Sequence, residues 1–356
     1  TTLNTNISNK TLQDLEFTTV LNHIADHCIS SLGKERVLEI TPINYKKGLF
    51  KELNLVNEYL SSFQSENRIP NHGFDNVINN VKHLKIENSF IETEAFLRLA
   101  SMSLTVNEHI KFFKKFNIQF PTFFAVSQKI EFTTYIDDEI KKIIELSGEV
   151  RNNASPTLKQ IRKDINHVRG KIGASFTSAL SKSIGAGFLD DIKETVVDNQ
   201  RVLAVKAMYR KKISGSLLGS SKSGGIVYIA PQATLSYSRE YQNLVYEEKQ
   251  EVVKILRELA TVIRPMATLL EEYLEFLIHI DSIGAKAKYA NEINAILPKI
   301  SSEKTIYFKN AMHPVLWRKN NIQEIATIPQ TIELNENQQI IVISGPNAGG
   351  KSITLK

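Results

Sequence analysis

Cysteine is almost missing from this sequence: Cys28 stands alone among 356 residues. One thiol can neither close an internal disulfide nor supply a Cys-rich zinc cluster, which excludes a secreted disulfide scaffold and points to a reducing, cytoplasmic compartment. No stretch approaches the roughly 18 to 20 apolar residues needed to span a bilayer. The opening TTLNTNISNK lacks the basic start and apolar centre of a signal peptide. No membrane partner is expected.

What is present fits a globular protein. At roughly 150 residues per domain the length gives two to three domains, and 42% apolar content suffices for each to bury a core. Forty-four Lys plus Arg against 38 Asp plus Glu leave +6, a mild basicity that does not by itself prove a nucleic-acid partner.

From Thr11 to about Ile144 the chain reads as helices, with Leu15, Val20, Leu21, Ile24 and Cys28 at three- and four-residue spacing and Pro42, Pro70 and Pro121 as breaks. His23, His27, His72, His83 and His109 have no carboxylate at metal-site spacing and read as core or surface residues. Ser155-Pro156 is an N-cap followed by a first-turn proline. From there Leu158, Ile161, Ile165, Val168, Ile172 and Phe176 form a narrow seam. A helix from Pro156 to about Ser181 would be about 39 Å long.

The period then changes. Strands are expected at Arg201–Tyr209, Ile213–Leu218 and Ile226–Ile229, forming a small antiparallel sheet closed by Pro231. A second long helix follows from about Thr234 to Ile263, with Leu244, Glu248, Val252, Leu256, Leu259 and Ile263 near one face. Two helices joined at one end by a short sheet satisfy each other's seams by running antiparallel, which puts the sheet at the tip of a helical arm.

Acidic residues vanish between Asn199 and Ser238, where Arg201, Lys206, Arg210, Lys211, Lys212 and Lys222 contribute six positive charges. Lysines that merely protect a sheet edge would also be positive. The lack of any acid over forty residues favours contact with a phosphate backbone, independent of base sequence.

The strongest motif comes last. Gly345-Pro346-Asn347-Ala348-Gly349-Gly350-Lys351-Ser352 matches G-x-x-x-x-G-K-[ST], with Ile340–Ile343 expected as the preceding strand and ITLK as the start of a helix. Backbone N–H groups of such a loop would cradle the phosphates of ATP, Lys351 would bridge the β- and γ-phosphates, and Ser352 would ligate Mg²⁺. Six residues follow Gly350, so the catalytic acid of a hydrolytic site is not expected in this sequence. Half of a nucleotide pocket is present, and these 356 residues alone are expected to be inactive.

GPNAGGKS with ITLK, together with Ala311–Leu316, resembles the start of the ATPase domain of the MutS family, and its second branch, MutS-two, fits best. Leu15–Pro42, Val150–Ile165 and Asp198–Pro231 carry the likeness along nearly the whole chain. Two stretches depart from the family pattern: Ile328–Leu334 replaces a Pro-Asn-Asp segment, and Gly224-Gly225-Ile226 stands where Gly-Ala-Thr is more usual. Base-contacting residues are therefore unassigned.

The resemblance implies a mainly α fold with a small antiparallel β clamp, and long lever helices leading into the first strands of an ABC-like α/β ATPase domain. In this division 1–150 is the helical core, 151–189 the lever helix, 190–235 the basic clamp, 236–302 the return lever and core helices, and 303–356 the opening of the ATPase domain. It further implies an ATP- and Mg-dependent ATPase, homodimeric through its ATPase domains. Such a protein binds duplex or branched DNA, suppresses homologous recombination, and carries an Smr endonuclease domain further along. The alternative partner is the ribosome, where the same ATPase would rescue collided ribosomes through rRNA contacts. Electrostatics leaves both polymers open. His313, at a position typical of the family, reads as structural.

Overall fold

The structure is a computed structural model that describes residues 7–346 and 350–356. Helices hold 57% of the chain and strands 12%, so the fold is mainly α with a small β portion. Eight helices come first: α1 (Asn9–Asp14), α2 (Phe17–Ala25), α3 (Ser31–Leu38), α4 (Lys46–Ser62), α5 (Ile78–Leu84), α6 (Thr93–Lys115), α7 (Pro121–Ser127) and α8 (Tyr135–Ile143). Then come α9 (Pro156–Gly185), β1 (Leu189–Val197), β2 (Gln200–Lys206), β3 (Gly215–Ser220), β4 (Ile226–Pro231), α10 (Gln232–Ile263) and α11 (Ala267–Glu292). The last elements are β5 (Ile306–Ala311), α12 (Pro314–Ile322), β6 (Gln330–Leu334) and α13 (Lys351–Leu355).

The chain divides into two compact units. One comprises Thr1–Lys85, Arg98–Asp137 and Pro265–Lys356; the other comprises Ile86–Leu97 and Asp138–Arg264.

In the first unit α11 is the spine, packed by α2, α3, α4 and α5. Most of its circumference is apolar and buried (Leu270, Tyr273, Leu274, Leu277, Ile278 and Ile283), with Glu271, Glu272 and Glu275 left on one exposed strip, the pattern of a helix largely enclosed by others. A second layer is aromatic: Phe113 stacks on Phe123 at 4.7 Å, with Phe112 and Phe120 against them. The buried Glu58 carboxylate of α4 accepts from the N–H groups of Thr122 and Phe123, so one side chain satisfies two free donors at the start of α7.

In the second unit α9 and α10 pack along their lengths, and α9 runs one turn beyond the expected end. Ser155 caps α9 by accepting from Leu158 N–H at 3.0 Å and donates its own hydroxyl to Glu251 of α10 at 2.7 Å. Five of the six seam residues of α9 are buried, Ile172 being half-buried. Glu248, which shares the apolar register of α10, is explained by its ion pair with Arg162 at 2.7 Å. Pro265, which can supply no N–H, follows the end of α10.

The sheet at the end of α9 has four strands in the order β1-β2-β4-β3, all antiparallel. Three were expected. The unexpected one, β1, is an edge strand paired with β2 through Val196↔Arg201 and Thr195↔Val202. The expected strand at Arg201–Tyr209 is cut short: β2 ends at Lys206 and the chain tightens into a 3₁₀ turn over Ala207–Lys212. Phe176 of α9 packs with Leu203, Val205, Val227 and Ile229 to form the sheet's core.

Candidate functional site

Two places are candidates: the glycine loop before α13 in the first unit, and the cations of β2 and the turns beside it in the second.

The loop follows β6 and a turn in which Asn335 accepts from the N–H groups of Asn337 and Gln338. Ile340–Ile343, expected as a strand, forms none. The exposure of these four residues alternates, 81%, 40%, 86% and 37%, as in an extended segment. A strand exists only where a neighbour takes up its N–H and C=O groups, and among the described residues no strand pairs with it.

Gly345 has φ of +147° and Gly350 +86°, with open space where a side chain would project. Backbone conformation, rather than crowding, therefore demands glycine at both positions. Gly350 is the N-cap of α13 and accepts from Ile353 and Thr354. The Lys351 ammonium turns back across the loop to donate to the Gly345 carbonyl at 2.6 Å, and Ser352 is exposed on the first turn. Gly345 and Gly350 in these conformations, with the Lys351 ammonium beside Gly345, suit a polyphosphate. Pro346 is described; Asn347, Ala348 and Gly349 lie outside the described residues.

Beyond the loop, Lys356 pairs with Glu16 at 2.9 Å, and that hydrogen bond is the main reason the Glu16 carboxyl is held below its usual range. His313, whose side chain is almost fully buried, accepts from Leu316 N–H through Nδ1 as the N-cap of α12 and faces Glu16 through Nε2 at 3.5 Å. Burial and Lys356 lower its basicity. This is a structural post.

At the sheet, Lys206, Arg210, Lys211, Lys212 and Lys222 are exposed. Among the described residues none of the five has an ion pair. The 3₁₀ turn sets Arg210, Lys211 and Lys212 in one short arc, beside the largely exposed Met208. Arg201 differs. Its guanidinium is bonded to Glu194 at 2.7 Å and lies over the Phe176 ring at 4.3 Å, so its charge is already offset and its position fixed. The acid comes from β1, just upstream of the acid-free segment, which also brings Asp190 and Asp191 to that edge. Pairing thus places acids beside a stretch that contains none, a relationship visible only once β1 is known to be a strand.

Among the described residues no group of three or more His, Cys, Asp or Glu side chains could hold an ion. His27 pairs with Glu292 at 2.8 Å, His72 with Asp281 at 3.2 Å and His279 with Glu52 at 2.9 Å, each a packing contact within the helical unit. No described helix is long and apolar enough to cross a membrane.

No protein-family model matches the chain. Curated relatives do. Over 98% of its length the chain is 28% identical to the endonuclease MutS2 of Geobacillus sp. and 29% identical to that of Bacillus velezensis, in each case covering 44% of the relative. The endonuclease MutS2 of Carboxydothermus hydrogenoformans is 29% identical over 362 aligned positions. The chain therefore spans less than half the length of the relatives it matches. Over nearly its whole length the chain is thus similar to the MutS2 endonucleases.

Proposed function

We propose that this chain is the helical core, lever arm, clamp and nucleotide-loop portion of an ATP-gated clamp on duplex or branched DNA. One observation carries the reading: five exposed cations without acidic partners among the described residues sit on a sheet at the end of a helix pair, in a chain that also bears a phosphate loop. Gly345–Gly350 would hold the triphosphate of ATP through backbone N–H groups, Lys351 would lie against the β- and γ-phosphates, and Ser352 would ligate Mg²⁺. When bound, ATP supplies the free energy of a phosphoanhydride. In this chain Lys351 would turn from Gly345 to a phosphate oxygen, and Lys206, Arg210, Lys211, Lys212 and Lys222 would hold the nucleic-acid backbone.

The relatives are named endonucleases. For the whole protein that name supports a nuclease role; ATP hydrolysis, a homodimer formed through the ATPase domains and suppression of recombination belong to the proposal itself. DNA is the leading partner, because the cations stand at the end of β2, in the 3₁₀ turn after it and in the β3–β4 turn, with no aromatic ladder for unstacked bases. Duplex binding measured across a salt series tests the clamp. Reversing Arg210, Lys211 and Lys212 to Glu is expected to weaken binding for every sequence and to reduce the salt slope by about 0.9 for each phosphate no longer neutralised. Unchanged binding would remove the clamp. Mg-ATP binding that survives Lys351→Ala would remove the nucleotide site.

A further inference from the structure

Positive charge is also concentrated away from the sheet. Between Pro156 and Gly185, α9 carries Lys159, Arg162, Lys163, Arg169, Lys171 and Lys182 against a single acid, Asp164. Lys159 has Arg162 and Lys163 at i+3 and i+4, a placement of like charges that destabilises a helix left to itself. A merely solvated helix face would offer acids at those positions.

At about 100° per residue, Lys159, Arg162, Lys163, Asn166 and Arg169 fall within a sector of about 120°. Asp164 lies on another side and is taken up by the Gln160 amide at 2.9 and 3.0 Å. The five residues, with Glu248 of α10, line one groove of about 410 Å³. Its two guanidiniums are fixed. Arg162 donates to Glu248 and to the Val150 carbonyl, both at 2.7 Å, and to Asn152 at 2.6 Å, while Arg169 donates to the Tyr241 hydroxyl at 3.2 Å and lies over that ring. Its two ammoniums, Lys159 and Lys163, are exposed and have no ion pair among the described residues. Glu248 offsets one of four cations, and the groove stays positive.

We propose that this groove is a second phosphodiester-backbone site, separate from the cations of the sheet, that takes up consecutive phosphates of a DNA strand. Ten residues from Lys159 to Arg169 rise about 15 Å. One strand of B-DNA rises about 3.4 Å per phosphate while winding about its axis, so a straight row of that length meets about two to three consecutive phosphates, within reach of its four cations and one amide. Rigid guanidiniums position the backbone, and the mobile ammoniums adapt to it. The site itself stands on the geometry of α9; naming DNA as the polymer rests on the clamp reading.

The test uses the full chain and a mixed-sequence DNA duplex, with binding followed by fluorescence anisotropy across a salt series. Lys159→Gln with Lys163→Gln is expected to reduce the salt slope by about 1.8 and to weaken binding at least about tenfold at physiological salt. Glutamine keeps the helix, which far-ultraviolet circular dichroism checks. Lys249→Gln with Lys254→Gln removes the same charge from α10 outside the groove and is expected to leave the slope unchanged. A groove pair that binds as wild type, while the Arg210/Lys211/Lys212 reversal weakens binding, overturns the groove and leaves the clamp standing. Equal weakening by both lysine pairs also overturns it, since net charge would then account for the effect. A wild-type chain that binds no duplex overturns both readings, and an effect seen only with duplex RNA overturns the assignment to DNA.

Discussion

A β-carbon on Gly33 would fall inside the carboxylate of Asp281, which comes from a helix almost 250 residues further along. That carboxylate has no solvent exposure and accepts from Ile29 N–H, Ser30 N–H, the Ser30 hydroxyl and His72 Nε2. Ser30, as N-cap of α3, in turn accepts from Gly33 N–H. Gly33→Ala must either move Asp281 off Ser30 or tilt α3, and such overpacking typically costs about 1–3 kcal/mol. Urea unfolding of the variant is expected to show that destabilisation; an unchanged midpoint would mean that α3 shifts freely.

The same hub sets an acid dependence. Burial alone would raise the Asp281 carboxyl, but His72, Ile29 and Ser30 together bring it down to about 2; Glu52, with His279 and Lys286, also falls to about 2 against its burial. His109, fully buried, is lowered to about 4 chiefly by desolvation. Each of these groups binds protons more readily when unfolded, so stability rises with pH through each window. His109 contributes fully above about pH 6.5 and loses its share as pH falls toward 4, at up to about 1.4 kcal/mol per pH unit. Asp281 and Glu52 follow between about pH 4 and 2. Urea midpoints of the wild-type chain from pH 7 to 4.5 are expected to decline, and His109→Gln to flatten that decline; equal slopes in the two proteins would exclude His109 as the cause.

Cys28 lies in the same region, packed with Ala25, Val37 and Ala285, and burial pushes its thiol up to about 12. The thiolate is the reactive species. Labelling with a disulfide reagent at pH 8 is expected to be at least about 100-fold slower in native buffer than in denaturant. Fast native labelling would show that the α2–α3 corner opens readily.

What the sequence made legible follows from how local each signal is. The α9 seam and its Ser155-Pro156 start are written within one helix, so periodicity and a cap were enough. β1 was missed because LDDIKETVV has no clean alternation; it is a half-exposed edge strand held by pairing with β2 across a tight turn and interrupted by a bulge. The partnership of Gly33, Ser30 and Asp281 spans about 250 residues and leaves no local trace. Glu248 shares the apolar register of α10 because Arg162 of α9 stands opposite it, a partner 86 residues away that local spacing does not show. Ile340–Ile343 read as a strand because its composition is that of a strand, but composition does not supply a neighbour.

Arg201 and Lys211 separate the charges that are spoken for from those that are not. Both are exposed cations on the same sheet unit, yet Arg201 is bonded to Glu194 and lies on Phe176, while Lys211 sits in the 3₁₀ arc without an ion pair among the described residues. Arg201→Gln removes a surface ion pair and a cation–π contact, each worth up to about 1 kcal/mol, so its effect is expected on the thermal stability of the sheet unit. Its effect on DNA binding should be small, because the pair it breaks was near neutral. Lys211→Gln is expected to do the reverse: no measurable change in melting, and a salt slope lower by about 0.9. Should Arg201→Gln lower the slope as much as Lys211→Gln, the Glu194 contact would have to open on binding, and the count of backbone-holding cations at the sheet would rise from five to six.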